Sequence, residues 1–63
     1  MFTREMELQG KIDELKYKLL KTDYQAIKFA EGELSAYEYE PIKQQRKQWR
    51  AGINSLEQQL KNL

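Results

Sequence analysis

Two blocks of charge hold the side chains best equipped for chemistry. Glu31, Glu33, Glu38 and Glu40 crowd one ten-residue stretch that contains no cation. Clustered carboxylates are the groups that hold calcium or act as an acid–base pair. The spacing here lacks the regular oxygen ligands of a calcium loop, and Glu38 and Glu40 serve more simply at the positive end of a helix dipole. The second block, Lys43, Arg46, Lys47 and Arg50, surrounds Trp49 and contains no anion. Cations for phosphates beside an indole that can stack on a base are the ingredients of a nucleic-acid patch. The same residues also read as the edge of a helix seam, with Trp49 inside it and cations shielding its rim, and that reading is preferred. Tyr24, Phe29, Tyr37 and Tyr39 gather aromatic area nearby, suited to a core or to a binding anchor. They have no base or nucleophile beside them. The chain contains no histidine and no cysteine, which removes the commonest general base, thiol chemistry, disulfides and thiolate zinc sites. The expectation is a protein that is not an enzyme, with no catalytic residue, metal or cofactor.

These blocks sit on a framework set by apolar spacing. In the second half Ile42, Trp49, Ile53, Leu56 and Leu60 recur at three- and four-residue steps once Arg46 is counted as a slot. That is the seam of a helix packed on another helix. The first half carries a matching seam of Leu8, Ile12, Leu15, Leu19, Thr22, Ala26 and Phe29. Paired antiparallel, 8 meets 60, 12 meets 56, 15 meets 53, 19 meets 49, 22 meets 46, 26 meets 42 and 29 meets Tyr39. Every pair sums to 68, which centres the chain reversal at about Leu34. Arg46 opposite Thr22 is the one charged slot. It can select register, or pack its stem along the seam while the head reaches Asp23 or solvent.

Local signals agree with that reversal. Gly32 suits the position after a helix, where positive φ is needed. Ser35 with Glu38 forms a capping box, and Leu34 can pack on Tyr39 four positions into the next helix. Thr3 caps the first helix, with Glu5 and Glu7 in its opening turn. The sequence thus predicts an all-α fold, an antiparallel, coiled-coil-like hairpin forming one domain over 1–63, with helices over about 4–31 and 36–62 and a turn at 32–35. Two interruptions are weighed. Thr22 can cap a new helix start, dividing the first helix and giving three, but the seam runs through Thr22 to Ala26 and Phe29 without losing register, which favours one continuous helix. Pro41 removes an amide donor, so a kink there, or a short turn over 36–39 followed by a fresh start, is predicted.

One stripe is left over. Tyr17, Leu20, Tyr24 and Ile27 lie opposite the seam, and nothing in the second helix is free to cover them. Such a stripe marks another packing surface. Either copies associate through it into an oligomeric bundle, or a break near Thr22 folds the helix back over it. A 63-residue chain with one two-helix seam has a small core, which makes a partner surface expected.

Composition sets the remaining bounds. The net charge is +1, so no overall field draws the chain to nucleic acid or to an anionic membrane. No apolar run approaches the roughly 20 residues needed to span a bilayer, and Met1-Phe2-Thr3-Arg4-Glu5 does not open a signal peptide.

Several strings carry a resemblance. Thr22-Asp23-Tyr24, Ile27-Lys28 and Glu31-Gly32 come first, then Glu38-Tyr39 and Pro41-Ile42-Lys43. Arg46-x-x-Trp49-Arg50-x-x-Ile53-Asn54-x-Leu56-Glu57 follows. Over about Leu8 to Leu60 the chain resembles short helical proteins and C-terminal segments of bacteriophages and prophages, many encoded among tail and other structural genes. Gly52 departs from the pattern, where a helix-forming residue is usual, and puts the straightness of the last helix in question. The piece from Gly32 to Tyr39 also looks like the turn of short bacterial oligomerisation modules. The resemblance implies a viral protein, non-catalytic, in the virion or the host cytoplasm, acting in structure or assembly through helix–helix contacts with itself or another phage protein. The alternative is a small phage regulator that binds a host protein or nucleic acid.

Overall fold

The structure, a computed structural model, describes residues 3–63. Met1 and Phe2, which open the stretch read for a signal peptide, lie outside the described residues. Helix α1 runs Arg4–Ala30 and helix α2 runs Ala36–Lys61, packed against each other as an all-α hairpin. The molecule is a rod of 45 × 18 × 15 Å.

Each terminus of the reversal is satisfied by its own residues. At the end of α1 the Gly32 amide donates to the Phe29 carbonyl at 3.1 Å and the Glu33 amide to the Lys28 carbonyl at 2.8 Å. This is the paired Schellman closure, and it places Gly32 at φ 81, where a side chain is strained. The helix stops at Ala30, and Glu31 is its C-cap. At the start of α2 the Glu38 amide donates to Ser35 Oγ at 3.1 Å, and the Ser35 amide donates back to Glu38 Oε1 at 3.3 Å. Ser35→Ala removes one half of this exchange and should cost about 1 kcal/mol. Thermal melts at matched concentration check it; an unchanged midpoint would mean that α2 is nucleated elsewhere, with Pro41 the first candidate.

Helix α1 is continuous, as its unbroken seam favoured, and the restart expected at Pro41 is absent. Helix α1 does not break at Thr22, and no third helix forms. The Thr22 hydroxyl, which would have capped a new start, instead bonds back to the Leu19 carbonyl at 3.0 Å and lies within 3.3 Å of that of Lys18. Helix α2 does not restart at Pro41 but passes through it. Pro41 sits early in the helix and on its exposed side. The amide it lacks would have bonded to Tyr37, itself 90% exposed, so water can take the place of that one bond. Gly52 leaves α2 continuous as well. A Cβ built there would come within 3.0 Å of Leu15 Cδ1, so its bareness lets α1 approach closely.

The core follows the seam. Leu8, Ile12, Tyr39 and Ile53 are buried. Leu15, Leu19, Thr22, Ala26, Ile42, Arg46, Trp49, Leu56 and Leu60 are half-buried. Phe29, at the end of the seam, keeps 38% of its surface and stacks on Tyr39 with centroids 4.4 Å apart. That contact joins residues summing to 68, as does the bond from Arg46 to Thr22. Leu34 is half-buried in front of α2.

Candidate functional site

Helical spacing positions the stripe. Tyr17, Leu20, Tyr24 and Ile27 advance by three, four and three residues, and stay on one side of α1 because the helix turns every 3.6 residues. The seam claims the other side. The structure brings the four together and leaves 55–68% of each exposed. Two lysines stand four residues on from the two tyrosines: Lys21 Nζ lies 5.5 Å from the centre of the Tyr17 ring, and Lys28 Nζ lies 5.5 Å from that of Tyr24. Cation–π contacts of this kind rim the apolar strip with charge.

Sequence reasoning missed one member of this face. Met6, 53% exposed, stands two heptads before Leu20 and three before Ile27, a spacing that would have revealed it. Gly10 belongs to the same face, one heptad before Tyr17, and a Cβ there meets nothing within 4 Å. Unlike Gly52, it is not required by the packing of α1 on α2.

The two charge blocks are separated by their surroundings. At the tip Glu38 is used by the capping box, and Glu40 Oε1 accepts from Gln44 Nε2 at 2.9 Å. Among the described residues no group of three acidic, histidine or cysteine side chains is placed to hold a metal ion. In the second block Trp49 and Arg46 turn into the seam, while Lys43, Lys47 and Arg50 are exposed. Arg46 Nη1 donates to the Leu19 carbonyl at 2.9 Å and to Thr22 Oγ1 at 2.7 Å, and stands 3.0 Å from Asp23 Oδ1. Its guanidinium therefore binds the middle of α1 and not a ligand.

Tyr37 is a separate feature. With Pro41 and Gln44 it forms one side of α2, and together with Glu38 and Glu40 these residues line an open depression at the tip. The spacing 37, 41, 44 is the sequence signal for it. Among the described residues no helix is long and apolar enough to cross a membrane. No family model matches this chain, and no curated protein or solved structure matches it.

Proposed function

We propose that this hairpin is a non-catalytic interaction module that presents the Tyr17–Leu20–Tyr24–Ile27 face of α1 to a helix of another polypeptide. The observation that carries the reading is that four large apolar side chains stay mostly in water along one side of α1. A contiguous apolar strip rimmed by lysines is the usual form of a helix-docking surface. The Thr22–Gly32 and Arg46–Glu57 strings support placing the module in bacteriophages and prophages, as a structural or assembly component in the virion or the host cytoplasm.

Site-specific photocrosslinking in cells that make the assembling particles tests this reading. A benzophenone amino acid in place of Leu20 should give discrete protein adducts, a second copy of the chain included. The same group in place of Ser55, exposed on the outward side of α2, should give none. Adducts at Ser55 with none at Leu20 would overturn the assignment of the face.

A further inference from the structure

We infer that the occupant of the α1 stripe is a second copy of this chain, paired antiparallel about a two-fold axis beside Thr22. The inference rests on the interaction face proposed above and names what fills it.

Area gives the first argument. A folded monomer of 7.6 kDa exposes about 4,300 Å² by the scaling of surface with mass. This chain exposes 5080 Å². The excess, on the order of 800 Å², reflects the elongated 45 × 18 × 15 Å shape, and side-by-side association of two rods would remove a comparable area from each, the size one partner contributes to a standard interface.

The stripe itself gives the second. Read along α1 it is Tyr, Leu, Tyr, Ile at 17, 20, 24 and 27. Turned end for end on a copy of itself, 17 meets 27 and 20 meets 24, each pair summing to 44. Every contact then sets a tyrosine on an aliphatic side chain, and each occurs twice, as a two-fold interface requires. A parallel pairing instead sets like on like at all four positions. The axis falls about three residues from the middle of the rod, roughly 5 Å at 1.5 Å per residue, so two 45 Å rods overlap along most of their length.

Charge gives the third. Residues 31–40 carry four glutamates and no cation, and residues 43–50 carry four cations and no glutamate or aspartate. Parallel pairing places acidic tip on acidic tip. Antiparallel pairing parts the two tips and sets each at the level of residues 7–16 of the other copy, a stretch that includes Lys11 and Lys16. Gly10, bare on the same face and unused within the hairpin, leaves room for a neighbouring backbone. The product is a four-helix assembly with the two α1 helices at its centre.

Sedimentation equilibrium of the full chain tests the inference. The expected mass is twice 7.6 kDa, falling to the single-chain value in a Leu20→Lys, Ile27→Lys double variant whose helical circular dichroism is unchanged. The chain has no cysteine of its own, so orientation can be read from disulfides. Tyr17→Cys mixed with Ile27→Cys should link across copies, and Tyr17→Cys alone should not. A wild type that stays at single-chain mass up to millimolar concentration overturns the second-copy inference. So does a double variant that stays dimeric, and so does efficient linkage of Tyr17→Cys with itself. A monomeric chain that still gives foreign adducts at Leu20 removes the second copy and leaves the interaction module standing. Adducts at Ser55 alone remove both.

Discussion

Replacing Ile12 with alanine is expected to cost about 2–5 kcal/mol, the range for truncating a buried isoleucine that leaves a cavity. Ile12 is 2% exposed and, with Leu8 at 1%, is the most deeply buried of the described residues. Few side chains share the task. Among the described residues only Tyr39 and Ile53 are also buried, and the rest of the seam is half-exposed, so little can collapse into the gap. A 63-residue domain has a total stability of roughly 3–9 kcal/mol at about 0.05–0.15 kcal/mol per residue. The substitution therefore removes a large share of it, and the midpoint should fall by at least about 8 °C at about 4–8 °C per kcal/mol. Melts must be run at one chain concentration, because association raises apparent stability. A loss below about 1 kcal/mol would mean that the end of the hairpin bearing Leu8 and Ile12 is open in solution.

Removing Arg46 is the second large effect. Its Nη1 has two N–H bonds for three oxygens, on Leu19, Thr22 and Asp23. The side chain is 15% exposed, whereas that of Asp23 is 47% exposed. The ion pair is thus largely screened and contributes little. The charge-assisted bonds to the half-buried carbonyl and hydroxyl contribute more, about 1.5–3 kcal/mol. Arg46→Ala should lose that amount together with the packing of the stem. Arg46→Met should recover the packing share, and Asp23→Asn should cost well under 1 kcal/mol. Urea titrations of the three variants give the order. An Asp23→Asn loss equal to that of Arg46→Ala would show that the ion pair, and not the bonds into α1, holds this level of the seam.

The hairpin was legible because its strongest signals are periodic or local. Seam residues repeat at helical spacing in both halves, and the Gly32, Ser35 and Glu38 chemistry acts within six residues. What sequence misjudged depends on the balance between one bond and its surroundings. Pro41 reads as a breaker, yet its missing bond lies in an early, exposed turn where the helix runs on without it. Thr22 could cap a new start, yet the seam running in register through Ala26 and Phe29 favoured a continuous helix, and that is what forms, with the hydroxyl bonding backward to Leu19. Met6 was passed over because Gly10 and Asp13 interrupt the stripe before it. The stripe itself was readable, since a face opposite a seam can be counted; what covers it is a property of a second molecule.

The pairing sum of 68 also has a kinetic meaning. Contacts across the hairpin range from ten residues apart, at Phe29 and Tyr39, to 55 apart, where Arg4 Nη2 donates to Gln59 Oε1 at 3.3 Å. Closing the longer span directly from the unfolded chain costs about 1.5 kcal/mol more in loop entropy than closing the shorter. Folding is accordingly expected to zip from the reversal outward, with the capped turn as its start, and to shield Leu8 and Ile12, the best-shielded residues in the finished molecule, last. The Ile12→Ala loss should then fall on the unfolding rate and leave the refolding rate near that of the wild type. Equilibrium depth and order of formation run in opposite directions along this rod, so the most stable end of the core is also the door through which it opens.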